Sequence, residues 1–441
     1  MGNSGDNCMV LEGFRWVFSK PVDAHHHSIA SDYEKPDCSP NTARSDQRGS
    51  MQRRFHSGRD FRRAITIEEL RAMARRRLPA FVREYLEGGA EDEVTLRRNR
   101  NAFERVAFIS KTLTDVSRRD LSVEVFGGKL PLPLAIAPTG SSGLFAHRGD
   151  LALARAAAAF GIPFIQSTVS TLRLETVAEG AGGRHWMQLY MLKDRAVTKA
   201  IVARAAGAGC EALVLTTDTV VFGNREWDRR HYIRPGKLQL SSKLDVLAHP
   251  RWMWDVLVPN GVPLFENILE FLPGRNANPV RTRAFLVQQM DPSITFKDIA
   301  WLKSIWPRKL VVKGVLDVDD ARRLADAGVD GIVVSNHGAR QLDGSVSPIE
   351  VLPAIAQAVG ARLCVMVDGG FRRGTDVVKA VGLGAHLVLL GRATLYGLAA
   401  GGEEGAKHAL SILREEIDRT LGLLGVTSLS ECAARLRQTS S

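Results

Sequence analysis

The segment Ser335-Asn336-His337-Gly338-Ala339-Arg340-Gln341-Leu342-Asp343-Gly344 sets a proton acceptor and a fixed cation three residues apart. Histidine titrates near neutrality. Arginine stays charged, and its planar fork fits a carboxylate. The apolar run Gly331-Ile332-Val333-Val334 leads straight into this segment and reads as a buried strand. A base and a carboxylate clamp at one strand end point to chemistry on a small organic acid, because tuned titratable groups gather at active sites. The bland alternative is that His337 caps a turn and Arg340 is solvated.

These residues need a scaffold, and the chain supplies one in repeats. Apolar, β-branched-rich runs occupy 132–137, 163–166, 185–190, 212–216, 309–313, 331–335, 363–368 and 386–391. Helical segments such as 151–160, 196–207, 317–328 and 375–382 separate them. Continuous apolar strands joined by helices make a parallel sheet covered on both faces. Eight such units predict an α/β fold, a closed (β/α)8 TIM barrel, over an open doubly wound sheet. The gap from 216 to 309 is about three times a typical unit of roughly 30 residues. It carries Trp252 and Trp254 among basic residues, which suits a lid on the barrel mouth, an interfacial anchor, or both.

Ahead of the barrel, Thr66 with Glu69 three residues on marks a helix start. A second helix follows Leu78-Pro79 and stops at Gly88-Gly89, with Tyr85 in its last turn. Residues 1–60 lack periodicity and read as a disordered extension; 61–441 form the barrel domain. The run His25-His26-His27 has the side chains for a metal but no regular pattern around it, so no metal site is expected.

Barrels of this kind work at the carboxyl ends of their strands. In strand order those ends carry Pro138-Thr139-Gly140, then Ser167, then Gln188 and Tyr190, which share a face by period-two spacing. They continue with Thr216 and Asp218, with Arg225 just beyond, then Lys313, then His337 and Arg340. The last two carry Asp368-Gly369-Gly370 with Arg372, and Gly391-Arg392. A polar residue at every strand end is hard to explain as packing. Glycines that expose N–H groups beside arginines, after strands seven and eight, suit a phosphate. A phosphorylated cofactor is therefore expected, with its reactive end toward strands one to six.

Bulk composition narrows the class. The chain has 441 residues, 45% hydrophobic and 24% charged, which is ordinary for a globular protein. A net charge of +11 means either a solvated basic surface or attraction to anionic substrates or membranes. No finger, basic-zipper or RNA-binding pattern supports nucleic acid. Five scattered cysteines without a CxxC give neither a disulfide framework nor a zinc site, and fit a cytoplasmic setting. No run of about 18 apolar residues suggests a membrane span.

Together the motifs resemble the FMN-dependent α-hydroxy-acid dehydrogenases and oxidases, over about residues 62–438. The carriers are Ser335-Asn336-His337-Gly338-Ala339-Arg340-Gln341, Gln188-Leu189-Tyr190, Val312-Lys313-Gly314 and Asp368-Gly369-Gly370. The resemblance implies oxidation of an L-2-hydroxy acid, lactate- or mandelate-like, with FMN as cofactor. It implies His337 as base, Asp218 as its partner, and Tyr190 beside the substrate hydroxyl. It places Tyr85, Arg225 and Arg340 on the substrate carboxylate. Lys313 would stand at the N1–C2 carbonyl edge of the flavin. Ser167, Gln188 and Thr216 would hydrogen-bond the ring, and Pro138, Thr139, Gly140 and Ser335 would lie about it. Asp368, Gly369, Gly370, Arg372, Gly391 and Arg392 would hold ribityl and phosphate. Gly140 and the long basic loop are similar to the membrane-associated dehydrogenases that pass electrons to quinone. Peripheral contact through 227–290 at the inner membrane face and a homo-oligomer, commonly a tetramer, follow from the same likeness. An oxidase using oxygen is the alternative. A Schiff-base aldolase through Lys313 and a non-catalytic sugar-phosphate barrel are different classes.

Overall fold

Alternation within each apolar run decides what the barrel encloses. The computed structural model describes residues 56–439 except 235, 275 and 276. The expected extension therefore lies outside the described residues up to residue 55, and so does His25-His26-His27. Eight strands close the barrel: β1 (Leu134–Ile136), β2 (Phe164–Gln166), β3 (His185–Leu189), β4 (Ala212–Thr216), β5 (Lys309–Val315), β6 (Gly331–Val334), β7 (Cys364–Val367) and β8 (Leu387–Leu390). Every neighbour pairs in parallel, and β8 returns to β1.

Two buried clusters follow from the period-two pleat. Ala135, Ile165, Trp186, Val214, Val311, Val333, Met366 and Leu389 pack inside the barrel. Leu134, Phe164, Met187, Leu213, Val312, Ile332 and Val388 face outward into the core shared with the helices. A hairpin, Val123–Val125 with Gly128–Leu130, adds Val125 and Leu130 to the inner cluster. Its Phe126 ring lies 5.5 Å from that of Trp186, so this end of the barrel is plugged by apolar side chains. The carboxyl end stays open for polar groups.

Three helices lead into the barrel: α1 (Ile67–Arg77), α2 (Ala80–Glu87) and α3 (Val94–Asn101). Thr66 caps α1, its hydroxyl accepting from Glu69 N as the sequence predicts. The α2 helix stops at Gly88 with Tyr85 in its last turn.

The long segment between β4 and β5 is an ordered insert rather than one loop. It holds helices Glu226–Arg230, Leu240–Leu247 and Pro279–Gln289 and a two-stranded ribbon. The two tryptophans part company there. Trp252 is fully buried, packs edge-on against Phe81 of α2 and donates Nε1–H to Leu144 O. Trp254 is 71% exposed. A single turn of helix carries one indole into the core and the other into solvent.

The insert is tied to α2 at two points and to α1 at a third. Asp245 Oδ2 accepts from Ala80 N at 2.6 Å, capping a helix whose own N-cap is a proline. His231 Nε2 meets Glu84 Oε2 at 2.6 Å, and Arg77 pairs with Asp255. Asp245→Ala leaves the first N–H of α2 without its carboxylate. The expected result is a loss of about 1 kcal/mol, the usual worth of a cap, read as a lower midpoint of thermal unfolding. An unchanged midpoint would mean that the cap adds nothing.

Candidate active site

The inward parity that packs the barrel also populates its mouth. Ser167, Gln188, Thr216, Lys313, Ser335, Asp368 and Gly391 each lie two residues beyond an inward apolar residue. Tyr190, Asp218 and His337 carry the same parity one step further. Polar side chains at these positions must meet one another or a ligand, because an unpaired buried polar group is costly.

Three of the expected residues support others from behind. Ser167 Oγ donates to Gln188 Oε1 at 3.2 Å, and Gln188 Nε2 donates to Thr216 Oγ1 at 3.0 Å. Ser335 Oγ accepts from Lys313 Nζ at 2.6 Å and from His337 N at 3.0 Å. Asp218 Oδ1 lies 2.7 Å from His337 Nδ1. The other expected residues surround one cavity of about 500 Å³: Tyr85, Pro138, Thr139, Gly140, Gln188, Tyr190, Thr216, Arg225, Lys313, His337, Arg340, Asp368, Gly369, Gly370, Arg372, Gly391 and Arg392.

His337 sits in a strained turn. His337, Gly338 and Ala339 have φ of 57, 63 and 64° in succession. Left-handed backbone is uncommon for residues with a Cβ and persists where the surroundings enforce it. Helix α3 supplies the enforcement. Asn99 exchanges amide hydrogen bonds of 2.8 and 2.9 Å with Asn336, and Asp343 caps Val94 N and Thr95 N. The imidazole then meets Asp218 through Nδ1, which also lies 3.1 Å from Thr219 Oγ1. A carboxylate on Nδ1 fixes the proton there and leaves Nε2 as the basic nitrogen.

Asp218 and Lys313 hold charge in a buried place. Burial would raise the Asp218 carboxyl, but His337 and Lys313 outweigh it and hold it below the usual range. Burial would lower Lys313, but Asp368 and Asp218 outweigh it, and the ammonium is held above its ordinary value. Lys313 Nζ lies 2.8 Å from Asp368 Oδ2. A Schiff base needs the free amine, so this environment disfavours the aldolase reading. Burial, then the charge of Asp218, pushes the Tyr190 phenol up, so it remains a hydrogen-bond donor.

Four arginines converge on the same space. Arg340 Nη1 donates to Tyr85 O at 2.7 Å and Gly88 O at 2.8 Å, and its Cζ stands 5.0 Å over the Tyr85 ring. Arg225 Nε donates to Arg340 O at 3.1 Å. Arg392 donates to Leu86 O, Gly338 O and Gly88 O, and is buried beside Arg340 and Arg372. Burial and those two like charges push the Arg392 guanidinium down. Such a cluster calls for an anion. With the backbone of Gly369 and Gly370 at φ of 96 and 86°, it fits a phosphate. Asp368 Oδ1 is buried without a hydrogen bond and suits a hydroxyl donor such as a ribityl chain. The residues present fit FMN: the phosphate by Arg372 and Arg392, the ring by Lys313, Gln188 and Thr216.

Comparison with known proteins agrees. Residues 74–439 match the model of the FMN-dependent dehydrogenase family. The chain belongs to that family. It is 45% identical over 370 residues to (S)-mandelate dehydrogenase of Pseudomonas putida, covering 83% of this chain and 92% of that protein. It is 41% identical over 380 residues to L-lactate dehydrogenase of Alcaligenes faecalis, covering 86% and 98%. The crystal structure of monotopic membrane protein (S)-mandelate dehydrogenase superposes with a TM-score of 0.82 at 42% identity, covering 85% of this chain and all of that one (100%). As a member of the FMN-dependent dehydrogenases, this protein is an oxidoreductase whose cofactor is FMN.

Sequence reasoning missed several residues of this dehydrogenase site. Asp228 lines the cavity three residues after Arg225, in the first turn of the helix that begins just past Arg225. Thr219 follows Asp218 directly. Phe222, Val262 and Leu286 of the insert also line the cavity, and no local pattern marked them.

Gly314 makes the His337–Asp218 contact possible. Its φ is 107°, and a Cβ there would stand 2.6 Å from Asp218 Cβ and 2.8 Å from Asp218 Cγ. Gly314→Ala must move Asp218 or the backbone of β5 between Lys313 and Val315, where its register with β6 shifts. Misplacement of this size costs on the order of 100-fold in turnover. We expect kcat to fall by about that factor with bound FMN retained; an unchanged kcat would remove Gly314 from the site.

Proposed function

We propose that this protein oxidises an L-2-hydroxy acid, lactate- or mandelate-like, to the 2-oxo acid, and that a quinone takes the electrons from its reduced FMN. The observation that carries the reading is the His337–Asp218 pair sharing one cavity with Arg225 and Arg340. The names of the relatives, mandelate and lactate dehydrogenases, support the same substrate class.

In this reading Arg225 and Arg340 hold the substrate carboxylate and Tyr85 adds a hydrogen bond to it. The Tyr190 hydroxyl donates to the substrate oxygen. His337 Nε2 takes a proton from substrate, and Asp218 stabilises the imidazolium that results. Bound FMN would supply the acceptor for the electron pair that leaves the substrate α-carbon. Lys313, held cationic, would stabilise negative charge on a flavin ring bound beside it. The apolar wall of Phe222, Val262 and Leu286 receives the substrate side chain.

The quinone half rests on the insert. Ile233, Leu240, Leu244, Leu247, Trp254 and Val258 are exposed there, at 58 to 71%. Exposed apolar side chains beside Lys243 and Arg251 suit peripheral contact with an anionic membrane, on its inner face in this proposal. The described residues contain no helix long and apolar enough to cross a membrane. The (S)-mandelate dehydrogenase of the superposed structure is a monotopic membrane protein, which supports this reading.

Stopped-flow mixing tests the acceptor. Enzyme reduced anaerobically by lactate or mandelate should reoxidise faster with a short-chain quinone than with oxygen. Faster reoxidation by oxygen would reject the quinone and favour an oxidase.

A further inference from the structure

Arg225 and Arg340 are two partly buried cations with a third charge between them. Asp228 stands in the turn after Arg225 and is 8% exposed. Its Oδ2 lies 4.0 Å from Arg225 Nη1 and 3.9 Å from Arg340 Nη2. That oxygen is buried and makes no hydrogen bond. A carboxylate that only braced the arginines would sit at 2.7 to 2.9 Å, the usual length of a charge-assisted bond. Asp228 stands off by about one further ångström.

The remaining bonds explain the gap. Arg225 uses Nε on Arg340 O and Nη2 on Gln341 Oε1. Arg340 uses Nη1 on the carbonyls of Tyr85 and Gly88. Arg225 Nη1 and Arg340 Nη2 are thus left with Asp228 as their nearest carboxylate, unbonded. They can take a ligand carboxylate without breaking a protein hydrogen bond. Asp228 meanwhile reduces the local charge of the pair from two to one.

We infer that Asp228 sets the charge of the clamp, so that the site selects an acid with one carboxylate over an acid with two. The inference rests on the proposed assignment of Arg225 and Arg340 to the substrate carboxylate. Asp228 acts through the arginines and is a positioning residue. A second ligand carboxylate would enter a site with one net positive charge already neutralised and a resident anion close by. Like charges brought together without solvent are strongly disfavoured, and specificity is often built from such repulsion.

The test uses the FMN-loaded enzyme and needs no turnover. Perturbation of the flavin absorbance gives dissociation constants for phenylacetate and phenylmalonate, and for the smaller pair propanoate and methylmalonate, with all groups ionised. Wild type should bind the monoanion of each pair more tightly. Asp228→Asn keeps the side-chain shape and should tighten the dianions by about tenfold relative to the monoanions. Asp228→Glu should restore the wild-type preference. Equal shifts for both charge types would mean that Asp228 acts only through structure, and would overturn the inference. Should Asp228→Asn lose FMN, the wild-type preference decides alone, and a wild type favouring dianions overturns it. A wild-type spectrum that responds to none of these acids would reject the clamp assignment itself, and the inference with it.

Discussion

Asp218 reaches the mouth of the barrel just past the end of β4, and its carboxylate stays ionised there because His337 and Lys313 surround it. This contact organises the site. It fixes the proton of His337 on Nδ1 and turns Nε2 toward the cavity. It adds to the field that keeps Lys313 cationic. Gly314 exists as glycine because Asp218 occupies the space a side chain would need. A buried carboxylate, an imidazole and an ammonium on three strands are mutually dependent, since removing one leaves another charge uncompensated.

The outer elements hold that centre in place. Helix α3 clasps the left-handed turn at His337 through Asn99 and Asp343. Helix α2 offers the carbonyls of Tyr85, Leu86 and Gly88 to Arg340 and Arg392. The insert in turn holds α2 through Asp245 and His231. The segment that carries the exposed apolar side chains is thus two hydrogen bonds away from the proposed substrate clamp. The proposed docking surface and the proposed active-site mouth both bear on the same helix.

Much of this was legible in the sequence for one reason. Strand side chains alternate, so an inward Val214 or Leu389 dictates that Thr216 or Gly391 also points inward. The eight runs were legible as continuous apolar segments between helices, a phosphorylated cofactor followed from the arginines and glycines after β7 and β8, and FMN followed from the family resemblance. The insert was not legible. Trp252 and Trp254 look alike in the chain, and only packing against Phe81 and Leu144 separates them. Asp228 was missed because one acidic residue after an arginine reads as a surface pair. Its meaning lies in Arg340, 112 positions later in the chain and 3.9 Å away in space.

The central claim is that His337 Nε2 is the base for a substrate held over bound FMN. The direct measurement is flavin bleaching in the absence of oxygen, on addition of L-2-hydroxy acids, in wild type and His337→Gln. The account predicts that both proteins are yellow, that wild type bleaches with lactate or mandelate, and that the variant keeps its colour. Bleaching of His337→Gln at the wild-type rate, or a wild type that binds no flavin, would contradict it.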